Sequence, residues 1–262
     1  MAGFPHADAE LARVEPQAGR VGANIRRPSL DDGHETVMTA SPFHAGERAV
    51  QERVGVHEQM EVRARVSIRD HMPDQHRAFF RQLPYLLVGA LDQRGRPWAS
   101  MLFGLPGFIA SPDANVLQIS TQIAAEDPLA SAIDVGAALG LLGIELSTRR
   151  RNRAAGVVET VDGPGRFTIR VRQSFGNCPQ YIQARKPLQP TGWRVPGVAQ
   201  RSTSFAGWRA LLQGADTLFI ATRSALLDGP PAHGVDVSYR GGLPGFIEIL
   251  DDRHFLFPDY RG

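Results

Sequence analysis

A run of basic residues offers the first chemistry in this chain. Arg149, Arg150, Arg151 and Arg153 surround Asn152, and guanidinium groups bind phosphate through paired, charge-assisted hydrogen bonds. Three interpretations are open: a solvated hairpin end with arginines alternating across a strand, a contact with a phosphate group, or a nucleic-acid surface. The last lacks interleaved aromatic residues and any motif of a nucleic-acid-binding fold. The formal charge is only +2, from 29 Lys and Arg against 27 Asp and Glu, so we predict no nucleic-acid partner.

A second polar cluster follows a glycine near residue 176. Asn177, Cys178 and Gln180 stand at the start of a helix predicted over 178–184. A helix N-terminus can hold an anion and lower the pKa of a thiol. A lone cysteine can equally be a buried and inert side chain, so both interpretations of Cys178 stay open.

Several common sites are not indicated by the sequence. The eight histidines do not cluster with carboxylates at zinc spacing, so no metal site is predicted. The chain has no glycine-rich phosphate loop, no dinucleotide fingerprint and no serine-centred nucleophile motif, which leaves the catalytic residues unknown. It has one cysteine, no apolar run near the roughly 20 residues that span a bilayer, and no secretory signal. We therefore expect a cytoplasmic protein with no membrane partner.

A hexapeptide repeat organises the elements that must position these residues. Gly-Leu-Pro-Gly-Phe-Ile occurs at Gly104 to Ile109 and again at Gly242 to Ile247, an offset of 242 − 104 = 138 residues. The same offset aligns a serine before each copy and an aspartate after it. This pattern indicates an internal duplication of a domain. Because the chain stops at Gly262, we interpret it as one complete unit and the opening of another.

Hydrophobic patterning predicts mostly short strands joined by hairpins. The first set covers 85–91, 97–103, 108–110, 116–121, 137–146, 156–160 and 166–171; the second covers 217–222, 235–240, 246–250 and 254–257. Short helices are predicted over 46–56, 73–83, 128–133 and 204–212. This order favours a mainly β, antiparallel, closed or split barrel over a parallel α/β sheet.

Composition divides the chain into four parts. Residues 1–40 are predicted to be disordered or loosely attached, and 41–185 form the barrel domain with its N-terminal helices. The Pro- and Gly-rich stretch 186–203 is the expected linker, and 204–262 is the partial second unit.

Three stretches resemble one known family. The segment QSFGNCPQYIQ (173–183), the stretch TRRRNRAAG (148–156) and DVSYRGGLPGFIEILDDRHFLFPDYRG (236–262) are similar to the FMN-binding split-barrel family. More narrowly, they resemble large bacterial proteins related to pyridoxamine 5'-phosphate oxidase. The resemblance runs from about residue 42 to the end. It implies an antiparallel split barrel that binds FMN, usually where two barrels meet.

The chain departs from the family pattern at its end. A segment like PDYRG (258–262) normally continues with an asparagine, a helix and further strands. We therefore expect the second barrel to lack its closing half and the strands from Thr217 onward to expose edges. We predict a homodimer, or association with a separate chain, through this region; the rival is packing onto the first barrel in a monomer. Some relatives carry a reductase-like module, so a separate reductase is a possible partner.

The resemblance also implies cofactor contacts. Strand residues along the flavin ring would be Ser100, Met101, Leu102 and Phe103, and those near the ribityl or phosphate would be Ser120 and Thr121. Contacts with the cofactor or the barrel partner would come from Gln173, Asn177 and Gln180. The opposing cofactor wall would include Ser238, Arg240 and Arg261. In the alternative interpretation, Met101 and Phe103 are core side chains and Ser100 is a strand hydroxyl, with no cofactor contact.

The function implied is that of an FMN-dependent oxidoreductase. Its electron donor would be a nicotinamide or a partner reductase, because no dinucleotide-binding motif is present. Two alternatives remain: a non-catalytic remnant that dimerises without flavin, and a heme- or tetrapyrrole-binding protein on the same barrel. The colour of the purified protein distinguishes a bound flavin from a colourless remnant.

Overall fold

The computed structural model describes residues 41–186 and 206–260, which lie in one compact unit. Predictions for 1–40, 187–203 and Arg261 fall outside the described residues. The helices are α1 Ala45–Arg53, α2 His57–Ser67, α3 Asp74–Gln82 and α4 Arg209–Gly214, with 3-10 turns at Pro128–Ser131 and Ala206–Trp208. Within the described ranges, no helix is long and apolar enough to span a membrane.

The strands dominate the fold. They are β1 Tyr85–Leu91, β2 Pro97–Phe103, β3 Ile109–Ala110, β4 Val116–Ser120, β5 Ala138–Glu145, β6 Arg150–Gly163, β7 Arg166–Asn177, β8 Thr217–Arg223, β9 Val235–Gly241, β10 Glu248–Ile249 and β11 Phe255–Leu256. Their pairings are antiparallel. The predicted mainly β, antiparallel class is confirmed.

The seven strands of the main sheet curl into an open barrel. Their order is β2-β1-β5-β6-β7-β4-β3, and a flat sheet of this kind would be about 29 Å wide. Yet the two end strands, β2 and β3, are consecutive in the chain and are joined only by residues 104–108. This connection can span about 20 Å at most. The sheet must therefore bend until its ends approach. The Thr121 hydroxyl donates to the Phe103 carbonyl across the remaining gap.

One apolar core fills the curl of this sheet. Each strand contributes at least one fully buried side chain: Val88, Leu102, Ile109, Leu117, Leu141, Val158 and Ile169. Helix α3 covers it with Phe79, Phe80 and Leu83. Gly143 allows this approach, because a Cβ there would lie 2.6 Å from a methyl carbon of Leu83.

The second copy repeats the first in structure. The order α4–β8–β9–turn–β10–β11 follows α3–β1–β2–turn–β3–β4, and β9 occupies the same repeat positions as β2. The turn glycines Gly107 and Gly245 have matching positive φ values of 99° and 90°. Both segments are thus strand–turn–strand units, as the repeat predicts.

The hairpin β8–β9 packs on the outside of the barrel. A Cβ on Gly89 or Gly140 would lie 2.8 or 2.6 Å from the Asp236 backbone, so glycine is required where β9 crosses β1 and β5. A second core forms there from Leu87, Leu142, Ile144, Ile182, Val237 and Tyr239. The second copy therefore buries an apolar face against the first within one chain, while the predicted homodimer stays a prediction.

One local prediction was wrong. The helix expected over 178–184 is absent, because Pro179 and Tyr181 stand in a turn and Tyr181 has a φ of 62° that no helix tolerates. The short helix expected over 46–56 is confirmed as α1, and α2, which the pattern does not predict, follows it after a break at Gly55 with a φ of 71°. Strands β6 and β7 also extend beyond the predicted strands, through most of the basic run and up to Asn177.

Candidate functional site

A cleft opens where β9 meets the barrel. Its larger cavity has a volume of about 320 Å³ and is lined by Leu142, Arg151, Arg153, Asn177, Ser238, Tyr239, Arg240, Asp259 and Tyr260. A smaller cavity of about 60 Å³ shares five of these residues and adds Gln180, Tyr181, Gly241 and Pro258. We call the two cavities together the arginine cleft.

Strand alternation places two arginines of the basic run in this cleft. Arg151 and Arg153 are two residues apart on β6 and so lie on the same face. Arg150 lies on the opposite face, donates to the Gln75 carbonyl at 3.1 Å and stacks over Phe79 at 4.7 Å. The solvated interpretation of the run therefore does not hold for Arg151 and Arg153, which are partly or largely buried.

Arg153 is held by the second copy. It forms an ion pair with Asp236 and donates to the Ser238 hydroxyl at 3.0 Å and to the Val237 carbonyl at 3.1 Å. Its side chain is only 15% exposed. The Nε atoms of Arg151 and Arg153 are buried and have no acceptor within the described part of the chain. Buried donors without acceptors are costly, so these two guanidinium groups have unused hydrogen-bonding capacity.

The cleft carries an excess of positive charge. Burial, followed by the charges of Arg151 and Arg240, lowers the pKa of Arg153 to about 10. Burial likewise lowers the pKa of Arg151. Arg240 has an ion pair with Asp259 at 3.8 Å, which is long for a strong contact. Three guanidinium groups thus face the carboxylates of Asp236 and Asp259, and a bound anion would relieve their repulsion.

Polar and aromatic side chains fix the shape of the cleft. The Asn177 amide oxygen accepts from an Arg151 nitrogen at 3.2 Å and from the Cys178 N–H at 2.8 Å. The Tyr239 hydroxyl donates to the Tyr181 carbonyl at 2.9 Å, and the Arg151 guanidinium lies 6.0 Å from the Tyr239 ring centroid. This network orients Arg151 without using its Nε donor.

The structure brings together four of the residues predicted for the cofactor site. Asn177, Gln180, Ser238 and Arg240 line the arginine cleft. The lone cysteine, Cys178, is partly buried beside Asn177. Arg261 lies outside the described residues.

The other predicted residues lie elsewhere in the fold. Ser100 is buried and donates to Asp127 at 2.6 Å, and the buried Gln173 donates to the Pro42 carbonyl at 3.3 Å. Leu102 belongs to the barrel core and Met101 packs on the second core. The remaining three are exposed or partly exposed: Phe103, Ser120 and Thr121.

The repeat relates these scattered residues to the cleft. At the offset of 138, residues 100–103 correspond to 238–241 and residues 120–121 correspond to 258–259. All six of the corresponding residues line the cleft. The offset could therefore have indicated Tyr239 and Asp259, which the sequence interpretation missed. Arg153 was named only as part of the basic run, and its contact with Asp236 spans 83 residues.

Comparisons with known proteins find only distant structural similarity. No family model matches the sequence, and no curated protein matches it. Crystal structures of HupZ from Group A Streptococcus match with 13% and, for a variant, 12% identity. Both matches cover 40% of this chain and have a TM-score of 0.33. They cover 93% of the HupZ chain and 99% of the variant chain. An F420 reductase matches with 14% identity over 40% of this chain and 98% of its own, with a TM-score of 0.27.

Proposed function

We propose that the arginine cleft binds the phosphate group of FMN and that the protein is an FMN-dependent oxidoreductase. One observation carries this proposal: Arg151 and Arg153 line a cavity of excess positive charge, and their buried Nε donors have no acceptor in the described part of the chain. Phosphate oxygens are the acceptors that guanidinium groups bind best.

The donor set fits a phosphate monoester. Arg151 and Arg153 line the larger cavity, Arg240 adds a guanidinium that is only weakly paired, and the Ser238 hydroxyl lies beside Arg153. The larger cavity, at about 320 Å³, is near the lower end of the about 300–1,000 Å³ typical of ligand pockets. This volume would suffice for the ribityl phosphate of FMN.

The protein would bind and orient the cofactor. When bound, FMN supplies the electron-carrying ring. Asp236 and Ser238 fix the position of Arg153, and Asn177 fixes that of Arg151, so the phosphate meets preorganised donors. Leu142 and Tyr239 keep the floor of the cleft apolar. The electron donor would be a nicotinamide or a separate reductase.

A paired titration with FMN and riboflavin tests this proposal. The two ligands share the ring and the ribityl chain and differ only in the phosphate. We expect FMN to bind at least tenfold more tightly, because each charge-assisted hydrogen bond contributes about 1.5–3 kcal/mol. An absorbance spectrum and mass analysis of the purified protein would identify a retained ligand.

Other outcomes would assign a different function. Protein that stays colourless after FMN is added would favour the non-catalytic remnant. A strong Soret band on addition of hemin, with no flavin binding, would favour a tetrapyrrole ligand. Equal affinity for FMN and riboflavin would show that the arginines do not hold the phosphate.

A further inference from the structure

We propose that Tyr181 and Tyr260 form the wall against which the planar ring of this ligand stacks. This inference rests on the proposed function and extends it from the phosphate to the ring. The cleft would then select ligands that join a phosphate ester to a planar heteroaromatic ring.

The two tyrosines form a paired aromatic surface at the edge of the cleft. Their ring centroids are 4.9 Å apart with planes tilted by 37°, and the side chains are 40% and 45% exposed. Both line the smaller cavity. Aromatic surface that is partly open to solvent beside a charged cavity is the arrangement that stacks a planar ligand ring.

The backbone of Tyr181 supports a role in binding. Its φ of 62° lies in the left-handed region, where a large side chain is unfavourable and glycine or asparagine is usual. Residues held in such conformations concentrate at ligand-binding sites.

The second copy holds this strained turn in place. The Tyr239 hydroxyl donates to the Tyr181 carbonyl at 2.9 Å. Gly241 allows the close approach, because a Cβ there would lie 2.3 Å from the same carbonyl oxygen. The turn that carries Tyr181 is therefore fixed by the strand that also carries Ser238 and Arg240.

The arginines and the tyrosines line adjoining cavities. The two cavities share Arg151, Tyr239, Arg240, Asp259 and Tyr260. They therefore adjoin at the cationic part of the cleft. If the phosphate binds to Arg151 and Arg153, the attached ring would lie on the side of Tyr260, which lines both cavities.

Removal of each ring tests the inference. Tyr260→Leu keeps apolar volume but removes the aromatic face, and Tyr260→Phe keeps the face and removes only the hydroxyl. Tyr181→Gly removes the second ring and relaxes the left-handed backbone, so a weakened site cannot be attributed to new strain. Trp208→Leu, at an aromatic residue that is 37% exposed and does not line the cleft, is the matched control.

The readouts separate the ring from the phosphate. We expect Tyr260→Leu and Tyr181→Gly each to weaken FMN binding about tenfold and to increase the fluorescence of bound flavin, since stacked tyrosine quenches it. Tyr260→Phe and Trp208→Leu should bind FMN like the parent protein. The affinity for inorganic phosphate is measured by competition with FMN. This affinity should be the same in all four variants as in the parent protein.

Each outcome decides the matter. If the parent protein binds FMN and the two ring-removing variants bind it equally well, the tyrosine wall is wrong and the proposed function stands. If those variants lose affinity for FMN and inorganic phosphate in parallel, the tyrosines shape the cleft without contacting the ring, and the inference is overturned. If the parent protein binds inorganic phosphate but not FMN, both the FMN function and the ring wall fail.

Discussion

Substitution of Arg153 by glutamine should separate the binding of phosphate from the stability of the fold. Arg153→Gln removes the largely buried guanidinium and keeps a side chain that can donate to Ser238. Loss of charge-assisted hydrogen bonds to a phosphate costs about 1.5–3 kcal/mol, which corresponds to a roughly 10- to 150-fold weaker affinity for FMN. Riboflavin, which has no phosphate, should bind with unchanged affinity, so the ratio of the two affinities should fall towards one.

The unliganded protein should tolerate this substitution. The pKa of Arg153 is lowered to about 10 from 12.5, chiefly by burial. A shift of this size corresponds to about 3 kcal/mol acting against the charged form, and the ion pair with Asp236 offsets part of it. Asp236 is 45% exposed, so water can solvate it once the arginine is gone. We therefore expect the free energy of unfolding to change by less than about 1 kcal/mol.

Arg150→Gln is the matched control. It removes the same charge from the same strand, but the side chain points to the Gln75 carbonyl and Phe79 on the opposite face. Flavin fluorescence titrations give both affinities, and urea unfolding gives the stability. Equal FMN affinity in parent protein and Arg153→Gln would refute the phosphate assignment. Equal losses for FMN and riboflavin, with a lower unfolding free energy, would show that Arg153 maintains the cleft instead.

Four further predictions follow from the fold. Gly140→Ala should destabilise the protein by about 1–3 kcal/mol in thermal unfolding, because its Cβ would lie 2.6 Å from the Asp236 backbone, whereas Gly214→Ala, with open space around it, should change little. Burial, followed by the charges of nearby arginines, lowers the pKa of His76 from 6.5, so stability should be full above pH 6.5 and decline as the pH falls below it; a flat urea-unfolding profile between pH 8 and 5 would contradict this. Calorimetry should find one FMN per chain, since Leu102 fills the equivalent position of the first copy; two equivalents would overturn that. Light scattering after size exclusion should show the predicted homodimer, and a monomer would support packing of the second copy within one chain alone.

The parts of the fold that depend on local pattern were predictable from the sequence. Strands β1 and β2 begin and end where the apolar run and the hairpin loop place them, at Tyr85–Leu91 and Pro97–Phe103. Helix α2 was missed because its valines Val62 and Val66 are 69% and 75% exposed and give no buried face for the pattern to reveal. The pattern around Tyr181 predicts a helix where a turn forms, because the long-range hydrogen bond from Tyr239 to its carbonyl, which no local pattern contains, helps to hold its left-handed backbone.

The cleft itself depends on contacts that no local pattern contains. The basic run indicates phosphate contacts as one interpretation. The alternation of side chains along β6 does not show which face of this strand another element packs against. That depends on β9, which crosses the barrel over Gly89 and Gly140 and brings Asp236 and Ser238 to Arg153. The repeat offset was the one sequence signal that linked β9 to the predicted cofactor strand.

Duplication gave equivalent strands different environments. In the first copy, Ser100 and Leu102 point into the barrel. The Ser100 hydroxyl donates a hydrogen bond to Asp127, and Leu102 joins the apolar core. In the second copy, the equivalent residues Ser238 and Arg240 instead face the arginines of β6. A face that serves packing in one copy can therefore serve binding in the other, because the neighbouring surface is charged rather than apolar. The arginine cleft is thus a product of how the two copies pack, and substitutions that shift β9 should weaken ligand binding even where they leave the barrel core intact.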